Sequence, residues 1–189
     1  MTQTRKKKTT WNLFMAAVFL ALGIVLPFFT GQIPQIGNML LPMHLPVLLC
    51  GLICGWQYGG AVGFILPLLR YALFGMPYIF PTGISMAFEL AAYGMISGAV
   101  YFHTRRQSVG AVYRALLIAM LGGRVVWAVV RMLLMGMAGV DFGLQIFVME
   151  AFVNAVPGIV LQLVLIPILM AALDRTGMLR FSRSQPAEN

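Results

Sequence analysis

Long apolar segments separated by short polar connections fill almost the whole chain. They fall at about 11–30, 39–56, 58–75, 84–103, 111–136 and 146–173. Each is close to the roughly 20 residues that an α-helix needs to cross a bilayer. The pattern predicts an all-α membrane protein with six transmembrane helices. Residues 1–10 would form a basic tail, residues 11–175 the membrane domain, and residues 176–189 a second tail.

The region 39–75 decides the helix count. It holds no acidic residue, no lysine and one arginine, and it is too long for a single pass at about 1.5 Å per residue. The run Trp56-Gln57-Tyr58-Gly59 places interfacial aromatic residues around a polar turn, so we expect the chain to break there.

The placement of basic residues predicts the orientation. With six helices, both termini and the connection 103–114 share one side, whereas the opposite loops near 31–42, 76–83 and 137–145 contain no lysine or arginine. A five-helix alternative would separate Arg105, Arg106 and Arg114 from the other basic residues, against the positive-inside rule. We therefore expect both termini to be cytoplasmic. The basic residues of that side are Arg5, Lys6, Lys7, Lys8, Arg105, Arg106, Arg114, Arg175, Arg180 and Arg183.

Composition supports a membrane protein. The chain is 60% hydrophobic and 10% charged, whereas soluble domains carry about 25% charged residues. The net charge of +8 lies mostly in short flanks between apolar runs, which indicates contact with anionic lipid and not with nucleic acid. The basic start followed by an apolar stretch is similar to a signal peptide, but the stretch is longer than usual and lacks a small-x-small cleavage site, so we expect it to remain.

Five ionisable residues lie inside the predicted spans: Arg70, Glu89, Arg124, Arg131 and Glu150. An ionisable side chain in the hydrocarbon core costs several kcal/mol, so it persists where it faces a partner, a cavity or a ligand. The chain has 5 acidic residues in all, and two of them are in this set. We expect the function to depend on these positions.

Helical spacing groups these charges with other polar side chains on three helix faces. The faces are Ser85, Glu89 and Tyr93; Arg124, Trp127 and Arg131; and Glu150, Asn154 and Pro157. They can converge on a pocket toward the outer side, to which His44 could add a donor. Three arginines outnumber two glutamates, so an anionic ligand would complete the set. The alternative is a purely structural network of Arg–Glu pairs.

Catalytic and metal-binding motifs are missing from the sequence. Lysine occurs only at positions 6–8, so there is no GxxxxGK[ST] phosphate-binding loop, and neither GxSxG nor HExxH is present. A metal hydrolase built from His44, Glu89 and Glu150 would lack the paired histidines of such sites. We expect no enzyme activity, no cofactor and no metal. A stand-alone proton-coupled carrier of a small organic anion, with Glu89 or Glu150 as proton relay, is the alternative.

Small residues four apart predict close helix packing. For Gly51 with Gly55 and for Gly94 with Gly98 we expect packing inside the protein, whereas the pair Ala17 and Ala21 could equally face another protein.

Two stretches, taken with the overall layout, resemble a known family. Ala16-Ala17-Val18-Phe19-Leu20-Ala21 is similar to the alanine motif of substrate-binding S-components of energy-coupling factor (ECF) vitamin transporters. The stretch Leu41-Pro42-Met43-His44-Leu45-Pro46-Val47-Leu48-Leu49-Cys50-Gly51 is similar to the entry into that family's second helix. The length, the six helices, the basic N-terminus and the glycine- and proline-rich outer loops extend the resemblance over most of the chain.

The resemblance implies a bacterial cell-membrane protein that captures a vitamin-like molecule from outside. A separate transmembrane coupling subunit and two ATP-binding subunits would energise uptake, with Ala17 and Ala21 docking on the coupling subunit. The pocket would lie toward the outer face, closed by the first and third outer loops. We expect the substrate to be a carboxylate such as pantothenate. The candidate substrate-binding residues are His44, Arg70, Glu89, Tyr93, Arg124, Trp127, Arg131, Glu150 and Asn154.

Overall fold

The computed structural model describes residues 2–29, 42–105, 107–139 and 156–175. Its elements are α1 (Thr2–Phe29), α2 (His44–Cys54), α3 (Trp56–Phe74), a π-helical turn (Ile79–Gly83), α4 (Ile84–His103), α5 (Val109–Met137) and α6 (Val156–Arg175). The predicted all-α architecture is confirmed. Within these described ranges, four stretches are long and apolar enough to cross a membrane: Thr9–Phe28, Ile79–His103, Val109–Met137 and Val156–Arg175.

The break between α2 and α3 lies at Gly55 and not at Trp56-Gln57-Tyr58-Gly59, where we expected it. Gly55 has φ of 99°, a conformation that residues with a β carbon rarely adopt. The polar run instead forms the first turn of α3. As a result α2 has 11 residues, about 16 Å of helix, which is shorter than the roughly 30 Å hydrocarbon core.

Contacts between the helices show that consecutive helices alternate in direction. At the end of α2 that holds Gly55, the Asn12 side chain of α1 donates to the Cys54 carbonyl over 3.3 Å. Arg114 of α5 donates to Thr104, just after α4, over 2.8 Å. We call this end the Gly55 end and the opposite one the His44 end. Gly98 of α4 packs on Trp56, and Asp174 of α6 is near Tyr101 of α4, so the start of α1, the α4–α5 connection and the end of α6 all lie at the Gly55 end.

Glycines bring α2, α3 and α4 into backbone contact. A β carbon on Gly59 would lie 2.6 Å from the Gly51 α carbon, and one on Gly98 would lie 2.6 Å from the Trp56 nitrogen. Gly94 of α4 packs directly on the Gly59 backbone. The predicted internal packing of Gly51, Gly94 and Gly98 is confirmed, whereas Gly55 serves as the break between helices.

Candidate functional site

Glu89 of α4 is the centre of a buried polar cluster near the His44 end. Its side chain is 2% exposed, and its Oε1 lies 3.0 Å from Arg124 Nη1 of α5. The Tyr93 hydroxyl donates to the same oxygen over 3.1 Å. His44 Nε2, from the first residue of α2, lies 3.8 Å from it, and the His44 and Tyr93 rings meet edge to face at 5.2 Å. We expected the three predicted faces and His44 to converge. The structure brings the faces of α4 and α5 together with His44 of α2, while Glu150 and Asn154 of the third face lie outside the described residues.

The residues of α4 and α5 around the cluster hold its side chains in position. Ser85, Glu89 and Tyr93 lie on one buried face of α4, as their spacing predicts. The Ser85 hydroxyl donates to the carbonyls of Pro81 and Thr82 over 2.9 Å and 3.0 Å, so it is bonded within its own chain segment. The Tyr93 ring packs on Gly123, the residue before Arg124, where a side chain would collide with it. One turn of α5 therefore supplies both the space for the tyrosine and the cation for the glutamate.

Several buried nitrogen atoms of the cluster have no hydrogen-bond partner among the described residues. Arg124 Nε and Nη2 and both ring nitrogens of His44 are buried and have no hydrogen-bond partner in the described part of the chain. Leaving a buried donor unsatisfied costs about 1–3 kcal/mol. With one carboxylate already shared by Arg124 and Tyr93, this arrangement is suited to bind acceptor oxygens.

Arg131 lies farther along the same α5 face, two turns from Arg124. Its Nη1 donates to the Thr82 hydroxyl over 3.0 Å, and its guanidinium lies 5.8 Å from the centre of the Trp127 ring. The predicted stripe of Arg124, Trp127 and Arg131 is therefore present. Arg131 connects α5 to the turn before α4, and the ring of Trp127, a predicted substrate-binding residue, lies beside this arginine.

Arg70 is placed apart from the Glu89 cluster in the structure. Its Nη1 donates to the Ile24 carbonyl of α1 over 3.3 Å. Its guanidinium lies beside the rings of Phe28 and Phe74, at 5.8 Å and 5.7 Å from their centres. These contacts fasten the end of α1 to the end of α3. We predicted Arg70 as a substrate-binding residue, but its described contacts anchor helices to one another and include none with Glu89.

Two predicted site residues, Glu150 and Asn154, lie outside the described residues. Their assignment as substrate-binding residues stays a prediction.

Sequence reasoning missed Gln162 of α6. Its side chain is 2% exposed, and its amide nitrogen is buried without a partner in the described ranges. A signal was available, because Gln162 is the lone polar side chain between Val156 and Leu173. A lone amide in an otherwise apolar span indicates a candidate functional position, as an ionisable group there does.

Ala17 and Ala21 point away from the helix bundle. Both are exposed, whereas Ala16, Phe19 and Gly23 form the buried face of α1. Large apolar neighbours such as Phe14 and Val18 are exposed as well. The two alanines therefore belong to an open apolar surface, and their role as a docking face stays a prediction.

Comparison with known proteins gives one family. No curated protein and no solved structure matches the chain. The family model described as ECF transporter, substrate-specific component, matches residues 12–178. The match covers every described helix that contributes to the Glu89 cluster.

Proposed function

Because the chain belongs to the family of ECF transporter substrate-specific components, it is a substrate-binding subunit of a membrane transporter, and we propose that it captures a small carboxylate-bearing molecule of the vitamin type at the Glu89 cluster. The family is one of transporters and not of enzymes.

The state of Arg124 carries this proposal. One nitrogen of its guanidinium is held by Glu89 at 3.0 Å, while Nε and Nη2 have no partner in the described part of the chain. A guanidinium fixed in this way is orientated before the substrate arrives, and its remaining donors suit the two oxygens of a carboxylate. His44 adds a further donor beside it.

The charge balance favours an anion. Glu89 and Arg124 neutralise each other, so the described cluster offers unsatisfied donors without excess negative charge. Arg131 adds a second cation two turns away. Pantothenate has the required carboxylate together with hydroxyl and amide groups, and it is our candidate substrate.

The proposed setting is a bacterial plasma membrane, with all six helices crossing it and α2 as the short member. The Gly55 end, which holds Arg105, Arg114 and Arg175, would face the cytoplasm by the positive-inside rule. The cluster would then open toward the outside. A transmembrane coupling subunit would dock on the exposed Ala17 and Ala21 face of α1, and two ATP-binding subunits would energise uptake.

A second candidate function is supported by the proximity of ionisable groups. Glu89, Tyr93 and His44 form a short chain in an apolar interior, as in proton relays of secondary transporters. A stand-alone proton-coupled carrier of a small organic anion would accumulate its substrate in liposomes under a pH gradient. The proposed subunit would do so only with coupling and ATP-binding subunits and ATP.

Identification of the bound molecule tests the main proposal. The protein is purified in mild detergent, and small molecules released by denaturation are identified by mass spectrometry. We expect one carboxylate-bearing compound at a stoichiometry near one per chain. Recovery of a cation or of an uncharged compound at that stoichiometry would contradict the proposal.

A further inference from the structure

Gln162 of α6 has a buried amide nitrogen for which the described residues offer no hydrogen-bond partner. Every other residue from Val156 to Leu173 is apolar, glycine or proline. The Gln162 side chain is nevertheless 2% exposed, and its Nε2 has no hydrogen-bond partner in the described parts of the chain. A buried amide without a partner is costly in an apolar interior, so this position requires an explanation.

The buried face of α6 directs Gln162 into the bundle. Gly158, Gln162, Ile166 and Met170 follow one another at intervals of four and are all buried. Residues four apart lie on the same side of a helix. The helix packs on α5 and α2, the two helices that supply Arg124 and His44. The stripe that contains Gln162 is therefore the stripe that meets the helices of the cluster.

The level of Gln162 along the bundle follows from a second contact. Tyr101 of α4 and Asp174 of α6 are near enough to interact electrostatically, so both lie toward the Gly55 end. Helices α4 and α6 run in the same direction. Twelve residues, about 18 Å of helix, separate Glu89 from Tyr101, and the same number separates Gln162 from Asp174. Gln162 therefore lies in the same half of the bundle as Glu89, toward the His44 end.

We infer that Gln162 is a substrate-contacting residue of this site and that its amide donates to a neutral oxygen of the molecule whose carboxylate is bound at Arg124. This inference rests on the proposed function. It narrows the substrate class to carboxylates that also carry a hydroxyl, ureido or amide oxygen. The two groups are recognised by different helices, the anion by α5 and the neutral oxygen by α6.

The pair of Arg124 and Gln162 explains how the site would discriminate between carboxylate substrates. An apolar pocket distinguishes small differences in size poorly, but a buried donor rejects a compound that lacks the matching acceptor, because the donor is then left unpaired. Arg124 alone would accept any small carboxylate. Gln162 would exclude those that carry only hydrocarbon beyond the carboxylate.

A structural role for Gln162 makes a different prediction. Amide side chains in membrane helices also bond between helices and hold them together. A residue of that kind affects stability and binds no particular substrate group. Its removal would therefore weaken the binding of all carboxylates equally or of none.

The test uses four probes: pantothenate and biotin, which carry neutral oxygens, and hexanoate and lipoate, which carry only hydrocarbon or sulfur beyond the carboxylate. Their affinities are measured by titration calorimetry for the wild type and for Gln162→Met, which keeps the length of the side chain. Gln162→Asn, which keeps the amide but shortens it, is measured in the same way in case the methionine variant does not fold. Met170→Leu, on the same stripe, is the matched control.

We expect the tighter of pantothenate and biotin to lose at least about tenfold in affinity in both Gln162 variants, the effect of one lost buried hydrogen bond, while hexanoate binds Gln162→Met at least as tightly as it binds the wild type. Equal affinities in the wild type and the variants, or equal losses for all probes, would overturn the role of Gln162 and leave the proposed function intact. If none of the four probes bound the wild type, the carboxylate proposal itself would fail, and this inference with it.

Discussion

The ring of Tyr93 lies against the α carbon of Gly123, so a β carbon at that position would come within 2.5 Å of the ring atoms Cδ1 and Cε1. Tyr93 donates to Glu89, and the residue after Gly123 is Arg124, which pairs with the same carboxylate oxygen. The absence of a side chain at residue 123 thus allows α4 and α5 to approach closely enough for the cluster to form.

The first prediction concerns this contact. Gly123→Ala should push the buried Tyr93 ring away from Glu89, lower stability by about 1–3 kcal/mol and weaken binding of the copurifying molecule. Gly122→Ala is the control, because its β carbon would meet only the flexible tip of Ile96. Thermal melting and ligand titration in detergent would show the difference. Equal stability and equal binding in the two variants would mean that the position of the Tyr93 ring does not depend on Gly123.

A second prediction addresses the backbone contact between α3 and α4. Gly94→Ala should destabilise the protein by about 3 kcal/mol or more, because the added methyl group would meet the Gly59 backbone, which cannot rotate away. Gly136→Ala, also in a helix but with nothing within 4 Å, should be neutral or slightly stabilising. The yield of monodisperse protein and its melting temperature measure this. A Gly94→Ala variant as stable as Gly136→Ala would show that α3 and α4 are farther apart than direct backbone contact requires.

The third prediction separates Arg70 from the substrate site. Arg70→Met removes the hydrogen bond to Ile24 and the contacts with the Phe28 and Phe74 rings, so it should cost about 1–3 kcal/mol of stability. The affinity for the copurifying molecule should stay within about twofold, because a binding change of that size is under 0.5 kcal/mol. A large loss of affinity without a loss of stability would show that Arg70 binds the substrate, as the sequence predicted.

The fourth prediction tests the exposed face of α1. Ala17→Leu combined with Ala21→Leu should leave ligand binding unchanged and abolish uptake in liposomes that contain the coupling and ATP-binding subunits, because larger side chains would block close helix approach. The matched control is Ala61→Leu with Ala72→Leu, two exposed alanines of α3. If the α1 variant transports as well as this control, docking does not use Ala17 and Ala21.

The sequence predicted the helices and the polar faces because both depend on local periodicity. The stripe of Ser85, Glu89 and Tyr93 and that of Arg124 with Trp127 and Arg131 follow from helical spacing alone. Their partners depend on which helices meet. Spacing could not show that Glu89 would pair with Arg124, nor that Arg131 would bond to Thr82. It also placed the α2–α3 break in the polar run, whereas the positive φ of Gly55 determines it.

Gln162 illustrates a different limit. A single uncharged amide changes neither the charge balance nor the hydrophobic periodicity of α6, so counting ionisable residues passes over it. Its importance becomes visible only when burial and the lack of a partner are known. Conversely, Arg70 drew attention as a charge within a span, although the aromatic rings and the carbonyl around it account for its presence.

The central claim is that the Glu89–Arg124 pair binds a substrate and is more than a structural link. Removing Arg124 alone is a poor test, since an unpaired Glu89 would remain buried and cost about 3–5 kcal/mol. The double variant Glu89→Gln with Arg124→Gln removes both charges together, so it leaves no buried charge without a partner. Arg114→Gln, an arginine bonded to Thr104 at the Gly55 end, is the matched control.

The decisive measurement is the amount of the copurifying molecule per chain, determined by mass spectrometry for the wild type, the control and the double variant. We predict that the double variant is monodisperse, melts near the wild-type temperature and carries none of the molecule, while the Arg114→Gln control carries the wild-type amount. A folded double variant that retains the wild-type stoichiometry would contradict the account and leave the pair as a structural link between α4 and α5.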